Sequence, residues 1–490
     1  MLDTFDKTRI QSIVGGEARG SGRTADIVNP HDGARIGALE LAGPDVAEEA
    51  LAAASKAQKA WAAMPAVQRG AILHKACNLI EARAEELSAL VAEEAGKPLA
   101  DARGETGGAV LCGRFFAGEG QRLFGRTMPS GAPDKSAMTV RQPCGVAVLI
   151  TAANTPAPNF AWKVFPALIC GNAVVLKPAE DTPVSADWMA RALIEAGVPA
   201  GVLNVVQGLG PDVGPPLYSD PRVDVVSFTG STGVGRMIAE QCGKDLRKVS
   251  LELGGKNAFI VCDDADLDTA AKWAAASAFS NAGQRCASGS RFLVFEAVYD
   301  AFVEKFVAAA RAQKLGVAEG STLGPVINQR QLDRMVAAVK TAQDQGARVL
   351  AGGARETGGG LESGFYMQPT IIENVDPDAE LSQTELFGPV AALYRVSGYQ
   401  AAVAMANDSP YGLTAAIHTR SFDRAWTFAR EVSAGVAVVN AGTFGSEPHM
   451  PFGGVRASGN GTREPGTEAL DIYCELKDVY LITDPGKLET

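Results

Sequence analysis

The chain has 490 residues, of which 46% are hydrophobic and 21% charged, with a formal net charge of −11. This length allows two to four domains, and the composition excludes long disordered stretches. The acidic balance argues against a nucleic-acid-binding surface. No run approaches about 18 apolar residues and no basic, apolar leader begins the chain, so we expect neither a membrane partner nor secretion. The sequence therefore predicts a cytoplasmic, multi-domain protein.

The potential metal ligands of the chain follow no metal-binding pattern. Eight cysteines are irregularly spaced without a CxxC pair, and the four histidines lack zinc-ligand spacing. The acidic segment DDADLD (residues 263–268) lacks the spaced glycine and closing glutamate of a calcium loop. We therefore predict no metal, and interpret this acidic segment as the cap of the following helix.

The chain begins with helices and continues with alternating strands and helices. Residues 45–64 and 67–96 have apolar positions every three or four residues, which predicts two long helices. From Pro143 onward, short Val- and Ile-rich runs alternate with helical patterns, and the alternation resumes over residues 257–409. Such alternation predicts βαβ units in two α/β lobes with parallel sheets. Residues 136–142 and 472–483 are predicted as strands outside both sheets, available to pair across domains or subunits.

A glycine-rich turn follows the apolar strand at residues 223–228. Residues 229–235 read TGSTGVG, and a helix is predicted from Arg236. Glycines let a backbone approach a phosphate closely, and a helix N-terminus supplies amide donors. The segment has neither dinucleotide-fingerprint nor Walker spacing, so a plain strand–turn–helix connection is the alternative.

Three polar residues are candidates for chemistry, each with a structural alternative. Cys286 lies in the polar segment NAGQRCASGSR beside Arg285, where a thiolate is favoured, although most lone cysteines are buried core residues. Glu252 ends an apolar strand before two glycines and is either a general base with a raised pKa or a lysine's partner. Asn154 follows a parallel strand at the edge where ligands bind, or is a turn asparagine.

Together these motifs resemble the NAD(P)-dependent aldehyde dehydrogenase superfamily, over about residues 27–479. Cys286 follows Glu252 by 34 residues, as the nucleophile follows the base in that family. The segments LKPAEDTP, FTGSTGVG, ELFGP, YGLTA and PFGGVRASG also occur in family order. Thr155 departs from the family pattern, since a phenylalanine commonly follows the asparagine. The resemblance implies an α/β fold of two parallel-sheet lobes plus a small β bridging and oligomerisation element.

The resemblance also implies the roles of individual residues. Cys286 would be the nucleophile, Glu252 the base and Asn154 the oxyanion donor, in the oxidation of an aldehyde to a carboxylic acid through a thiohemiacetal and a thioester. The implied cofactor is NAD, with NADP as the alternative, held by Lys177, Glu180, Gly210, Thr229, Gly230, Ser231, Val234, Leu253, Gly254, Glu385 and Phe387. The implied substrate residues are Trp162, Arg285, Phe444, His449 and Phe452, and Arg285 makes a carboxylated semialdehyde a candidate substrate.

In domain terms, the resemblance implies a nucleotide-binding domain of residues 1–122 and 143–252 and a catalytic domain of residues 253–465. Residues 123–142 and 466–490 would form the oligomerisation element of a homodimer or homotetramer. Two other enzyme functions stay open, a CoA-acylating semialdehyde dehydrogenase and a cofactor-free thioesterase that uses Cys286, as does a non-enzymatic use of the fold. CoA-acylating relatives commonly lack the general base, so Glu252 argues against that alternative.

Overall fold

The computed structural model describes residues 2–487. Residue 1, which begins the predicted nucleotide-binding domain, and residues 488–490, which end the predicted oligomerisation element, lie outside the described residues. Its α-helices are α1 (Pro44–Ala63), α2 (Ala66–Ala82), α3 (Ala84–Ala95), α4 (Leu99–Glu119), α5 (Pro156–Ile169), α6 (Pro183–Ala196), α7 (Gly210–Ser219), α8 (Thr232–Lys244), α9 (Leu267–Phe279), α10 (Tyr299–Arg311), α11 (Gln329–Asp344), α12 (Glu380–Gln383), α13 (Tyr399–Asn407), α14 (Phe422–Glu431) and α15 (Ala469–Tyr473). Its strands are β1 (Arg9–Ile10), β2 (Ser12–Val14), β3 (Glu17–Arg19), β4 (Thr24–Val28), β5 (Arg35–Glu40), β6 (Thr127–Met128), β7 (Lys135–Pro143), β8 (Val146–Ile150), β9 (Ala173–Lys177), β10 (Leu203–Val205), β11 (Val225–Thr229), β12 (Lys248–Glu252), β13 (Asn257–Val261), β14 (Gly289–Phe295), β15 (Arg348–Ala351), β16 (Thr370–Glu373), β17 (Val390–Val396), β18 (Tyr411–Gly412), β19 (Thr414–His418), β20 (Val436–Val439), β21 (Val455–Arg456) and β22 (Cys474–Ile482).

The first large sheet has the order β12-β11-β8-β9-β10-β2-β3 and is parallel from β12 to β10. Both faces of β8 are buried, and its alternate residues pack into different apolar clusters. Ala147 and Leu149 face one cluster, whereas Val146, Val148 and Ile150 face the other. This two-sided burial explains why the strand is a continuous apolar run rather than an alternating one.

The second large sheet has the order β15-β16-β17-β14-β13-β19-β20 and is likewise parallel in its centre. The two sheets confirm the predicted pair of α/β lobes. The predicted parallel strands form the centre of each sheet, and β2, β3 and β15 extend the edges antiparallel to their neighbours. Antiparallel pairing requires no crossover helix, and β2 and β3 are joined by a turn of only two residues, Gly15 and Gly16.

The two strands predicted outside the sheets are each other's partners. β22 runs antiparallel to β7 from the pair Cys474 and Pro143 to the pair Ile482 and Lys135, and β6 completes a three-stranded sheet. Both strands lie outside the two large sheets, as predicted, and they pair with each other. Their partnership joins segments more than 300 residues apart, which no local pattern reveals.

Two helix predictions meet different outcomes. The single helix predicted over residues 67–96 is interrupted at Arg83, whose φ of −119° and ψ of 28° leave the helical region between α2 and α3. The acidic segment at residues 263–268 is confirmed as a helix cap, since the Asp266 carboxylate accepts a hydrogen bond from the Thr269 amide at the start of α9. Across residues 2–487, no helix has both the length and the apolar character that a membrane span requires.

Candidate active site

Asn154, Glu252 and Cys286 come from three different connections. Asn154 follows β8 and Glu252 ends β12, so both lie at the carboxyl edge of the first sheet. Cys286 lies in the loop that enters β14 of the second sheet. A hydrogen bond from the Asn154 amide to the Gln284 carbonyl, 2.8 Å long, joins the two lobes two residues before the cysteine. The candidate site thus lies where the two sheets meet.

The loop before Cys286 has a strained backbone. Asn281, Ala282 and Gly283 have consecutive positive φ angles of 53°, 54° and 67°. For the two residues with a side chain this left-handed conformation costs about 1–3 kcal/mol each. A side chain at Gly283 would place its Cβ 2.2 Å from the Gly388 carbonyl oxygen, so the glycine is also required sterically. Strain of this kind, retained by surrounding contacts, is typical of functional sites.

The carbonyl of Cys286 is fixed from the side of β13. The Asn257 amide donates to the carbonyls of Cys286 and Ser288 at 2.7 and 2.8 Å. A Cβ on Gly255 would lie 2.5 Å from the Cys286 carbonyl oxygen. The second glycine of the LELGGK segment is therefore needed for the cysteine loop to approach the strand.

The side-chain amide of Asn154 is held in one orientation. Its Nδ2 donates to the Gln284 carbonyl, and its Oδ1 accepts from Asn159 Nδ2 at 3.1 Å. The backbone carbonyl of Asn154 accepts from Lys97 Nζ at 2.8 Å and from Asn281 Nδ2 at 3.1 Å. The arrangement directs Nδ2, which has a second N–H, toward the cysteine loop.

The environment of Cys286 disfavours a resting thiolate. Burial, together with the carboxylates of Glu252 and Glu385, raises the pKa of the thiol to about 12. The Ala287 amide and Arg285 oppose this rise only in part. The expectation that Arg285 and the polar sequence would favour a thiolate is therefore wrong for this state of the protein, because sequence shows neither the burial nor the two carboxylates.

Glu252 is a buried carboxyl group whose two oxygens have no hydrogen-bond partner. Burial raises its pKa well above the ordinary value and the carboxylate of Glu464 adds to the rise, against the opposing charges of Lys163 and Arg463. A Cβ on Gly453 would lie 2.8 Å from Glu252 Oε1, so the backbone packs directly against this group. A carboxyl group in such a position is suited to general base chemistry near neutral pH.

A buried ion pair lies near Glu252, and sequence reasoning missed it. Lys163 donates to Glu464 at 2.8 Å and to Ser227 at 2.6 Å, and Glu464 also accepts from Ser227 and Ser250. Lys163 and Glu464 are each 1% exposed. The lysine within the apolar helix α5 was a signal, because a charge there requires a partner.

Most predicted substrate residues gather beside Cys286. A small apolar cluster of Ala287, Leu413 and Phe452 packs against Trp162, Cys286, Val436 and Phe444. The rings of Trp162 and Phe452 are 5.7 Å apart, and Arg285 lies 5.3 Å over the Phe444 ring. His449 is not in this cluster; it is exposed and lies beside Glu447. Apolar side chains thus border the thiol, and the Arg285 cation lies next to them.

The predicted adenosine residues form a charged pair at the end of β9. Lys177 donates to Glu180 at 2.6 Å. Burial would raise the pKa of Glu180, but Lys177 and the Gly210 amide hold it below its ordinary value. The pair fits ribose hydroxyls, which need a carboxylate acceptor and a cationic donor.

The helix after the glycine turn begins earlier than predicted. α8 starts at Thr232 rather than Arg236, because the Ser231 hydroxyl caps it by accepting from the Val234 amide. Thr229 ends β11, Gly230 and Ser231 connect it to α8, and the Gly230 amide donates to the Glu252 carbonyl at 3.0 Å. A Cβ at Gly233 would meet no atom within 4 Å, so the first turn is open to a phosphate.

The predicted nicotinamide-end residues surround Glu385. Its carboxylate accepts from the Gly255 amide at 3.0 Å, and burial raises its pKa to about 7. A Cβ on Gly254 would lie 2.3 Å from Glu385 Oε2, so a side chain there would displace this carboxylate. Leu253 is buried beside this glycine, and Phe387 has a φ of 59°. With the charged pair and α8, these residues fit a nicotinamide dinucleotide.

Comparisons with known proteins agree with this geometry. The sequence profile of the aldehyde dehydrogenase family matches residues 18–479. The chain is 41% identical to succinate-semialdehyde dehydrogenase [NADP(+)] GabD of Escherichia coli (strain K12), covering 97% of the chain and 98% of that protein. It is 39% identical to a glutarate-semialdehyde dehydrogenase of Pseudomonas putida, covering 96% and 97%. A crystal structure of betaine aldehyde dehydrogenase from Staphylococcus aureus with NAD+ has a TM-score of 0.95 at 30% identity, covering 100% and 97%.

Proposed function

The chain belongs to the aldehyde dehydrogenase family and oxidises an aldehyde to a carboxylic acid with NAD(P)+, and we propose that Cys286, Glu252 and Asn154 perform this chemistry. The observation that carries the proposal is the meeting of these three side chains between the sheets. Glu252 acts on the pKa of the Cys286 thiol, and Asn154 is hydrogen-bonded to the loop of that cysteine.

In the proposed first step, the Cys286 thiol loses its proton to solvent, and the sulfur forms a bond to the aldehyde carbon. The carbonyl oxygen becomes an oxyanion, which accepts from the free N–H of Asn154 Nδ2. One such donor is worth about 2.7–4 kcal/mol of barrier. Loss of hydride from that carbon, which the bound nicotinamide would accept, leaves a thioester on Cys286; Lys177, Glu180, the N-terminus of α8 and Glu385 are the residues that would hold the cofactor.

In the proposed second step, Glu252 takes a proton from water. The water oxygen attacks the thioester carbon on Cys286, the carbon–sulfur bond breaks, and the carboxylic acid leaves. The raised pKa of Glu252 suits this task, since a base must bind the proton strongly enough to activate water. Its two unpartnered carboxylate oxygens are free to receive the water.

We propose an aldehyde that also carries a carboxylate, as the names of the succinate- and glutarate-semialdehyde dehydrogenases indicate for those relatives. Arg285 lies over Phe444 at the apolar cluster, and its buried Nε has no hydrogen-bond partner. A guanidinium in that position can bind a carboxylate through two hydrogen bonds.

The test of this substrate class compares succinate semialdehyde with butanal in the wild type and in Arg285→Met. We expect KM for the semialdehyde to rise about 10-fold or more, the loss of a charged hydrogen bond, while KM for butanal stays within about twofold. Equal changes for both aldehydes would refute the carboxylate-binding role.

The central experiment traps the covalent intermediate. Glu252→Gln mixed with aldehyde and NAD+ is expected to accumulate one acyl group per chain on the peptide that contains Cys286, detected by mass spectrometry. The absence of an adduct, or an adduct on another cysteine, would contradict the proposal. Adding CoA to the wild type separates the CoA-acylating alternative, which requires acyl-CoA rather than free acid as the main product. The thioesterase alternative requires ester hydrolysis without nicotinamide together with no oxidation of the aldehyde.

We further propose that the chain forms a homodimer or homotetramer through the oligomerisation element of residues 123–142 and 466–490. Within the described residues, β22 hydrogen-bonds only to β7 and β20 only to β19, so each leaves one edge unpaired. Leu476, Tyr480 and Ile482 of β22 are 63%, 57% and 78% exposed. Addition of β22 to β20 of a second copy would cover both edges.

Sedimentation of a Leu476→Lys/Ile482→Lys variant tests this assembly. We expect the variant to lose at least one association step relative to the wild type, and an unchanged mass would contradict the pairing. The same proposal divides the chain into a nucleotide-binding part, residues 1–122 and 143–252, and a catalytic part, residues 253–465.

A further inference from the structure

Behind Asn154 lies a buried ion pair that the proposed steps do not use. Lys97 and Glu105 have side chains that are 4% and 8% exposed, and Lys97 Nζ donates to Glu105 Oε1. Lys97 Nζ also donates to the Asn154 carbonyl at 2.8 Å. Removing two charges from water is costly, and such a pair is weak as a source of stability. A specific positional role would account for its presence.

The turn that carries Lys97 is held firmly by its surroundings. Gly96 ends α3 with a φ of 64°, and a Cβ there would lie 2.7 Å from Pro325 and 2.8 Å from Pro30. The neighbouring Pro325 carbonyl accepts from Gln284 Nε2, and the Ile327 amide donates to Gln284 Oε1 at 2.8 Å. The ammonium and the cysteine loop are therefore fixed against the same segment.

The Asn154 carbonyl has two donors of different kinds. Asn281, from the strained loop, donates a neutral hydrogen bond at 3.1 Å, and Lys97 donates a charged one at 2.8 Å. Charge-assisted hydrogen bonds are roughly twice as strong as neutral ones. The position of the Asn154 backbone, and with it the direction of Nδ2, thus depends mainly on Lys97, whose own position depends on Glu105.

We propose that Lys97 and Glu105 are positioning residues for the oxyanion donor: the ammonium holds the Asn154 carbonyl, and the carboxylate holds the ammonium. The inference rests on the proposed role of Asn154. It predicts that loss of Lys97 slows formation of the thiohemiacetal by displacing the amide, since small displacements at a reacting centre cost up to about 100-fold.

The same carboxylate faces a second charge of the site. Burial raises the pKa of Glu105, whereas Lys97 and, more weakly, Arg285 lower it. Glu105 Oε2 has no hydrogen-bond partner, and Glu105 forms no ion pair with Arg285 within the described residues. Because Lys97 pairs with Glu105, Arg285 remains available to bind an anion. The Lys97–Glu105 ion pair adds no net charge to the site.

The test is a double-mutant cycle between Lys97→Met and Asn154→Ala. Its readouts are the rate of the NADH burst and, without cofactor, the rate of the p-nitrophenolate burst from p-nitrophenyl acetate. We expect Asn154→Ala to slow both bursts about 100-fold and Lys97→Met about tenfold. In the Asn154→Ala background, Lys97→Met should add less than about twofold, because its effect passes through the missing amide.

Further variants separate positioning from folding. Lys97→Met/Glu105→Leu removes both charges, and we expect the same tenfold loss with a thermal midpoint near that of the wild type. Asp187→Asn breaks another buried ion pair, with Arg191 in α6, and should leave both bursts unchanged. Iodoacetamide labelling of Cys286 needs no oxyanion and should keep its rate in Lys97→Met.

The outcomes distinguish two kinds of failure. If Asn154→Ala leaves both bursts unchanged, the proposed oxyanion role itself fails. If Asn154→Ala slows them and Lys97→Met adds its full factor in that background, only the positioning role is overturned. A rate loss that follows the thermal midpoint across all variants, Asp187→Asn included, would also overturn it.

Discussion

The two ends of the candidate site are built on opposite principles. At the cofactor end, polar groups are paired at rest: Glu180 is bonded to Lys177, and the Ser231 hydroxyl caps α8. At the chemical end, Glu252 has two unpartnered oxygens, and the Cys286 thiol has its pKa raised to about 12. The contrast indicates that cofactor binding uses groups whose charges and hydrogen bonds are already paired within the protein. Chemistry requires groups that stay neutral and unsatisfied until a substrate arrives.

The largest test of this contrast is Cys286→Ala. We expect it to abolish both the NADH burst and steady turnover, a loss of at least about 10⁴-fold, because no other group supplies the covalent bond. NAD+ affinity, measured by fluorescence titration, should change less than about twofold, since the cofactor end is paired independently. Cys144→Ala is the matched control and should retain full activity. Substantial turnover by Cys286→Ala would end the nucleophile assignment.

The next largest effect is expected from Glu252→Gln. The first turnover should still give a burst of about one NADH per chain, whereas steady turnover should fall about 10²–10⁴-fold, the range for a lost general base. Stopped-flow absorbance measures both phases in one experiment. If the burst and the steady rate fell equally, Glu252 would act before the thioester rather than on it.

The pH dependence gives this variant an independent readout. Because burial raises the pKa of Glu252, its carboxylate form is populated only at higher pH than that of a free glutamate. Steady turnover of the wild type should therefore rise with pH through that raised value and fall as pH is lowered. In Glu252→Gln this limb should vanish, while the burst rate still rises toward alkaline pH with the Cys286 thiol.

How far the sequence predicts this site depends on the distance between interacting residues. Cys286, Glu252 and Asn154 could be singled out because each lies in a local context, a strand end or a polar loop, that is unusual for its residue type. The pairing of Lys163 with Glu464 could not, because 301 residues separate them and only the tertiary fold brings them together.

The elements show the same limit. Alternating apolar runs predicted both α/β lobes, yet the antiparallel edge strands and the pairing of β22 with β7 depend on long-range hydrogen bonds. The thiolate expected beside Arg285 was wrong for a related reason, since the burial and carboxylates that raise the thiol pKa come from other elements. Charge next to a residue in sequence is a poor guide to the charge that surrounds it.

Two glycine substitutions test whether backbone strain also differs between the two ends of the site. Gly283→Ala should lower the free energy of unfolding by more than about 2 kcal/mol, because an alanine at a φ of 67° is strained and its Cβ meets the Gly388 carbonyl. Gly243→Ala, in α8 where a Cβ meets nothing within 4 Å, should instead raise it by about 0.5–1 kcal/mol. Urea unfolding measures both. Equal effects would show that the two ends do not differ in backbone strain.

The smallest expected effect tests the cofactor end itself. A 2′-phosphate placed near the Lys177–Glu180 pair would meet a carboxylate that stays ionised at neutral pH, since its pKa is held below the ordinary value. We therefore expect NAD+ to be preferred, and Glu180→Gln to shift the ratio of kcat/KM for NADP+ and NAD+ about tenfold toward NADP+, or about 1.4 kcal/mol. Glu240→Gln, an exposed position paired with Lys244 on α8, is the control for a lost surface charge and should leave the ratio unchanged. If Glu180→Gln also left the ratio unchanged, the carboxylate would not face the ribose. The Lys177–Glu180 ion pair would then stabilise the fold rather than bind the cofactor. The direction of the shift is decisive, because freeing Lys177 from Glu180 adds an unpaired cation that can favour only the more negative of the two dinucleotides.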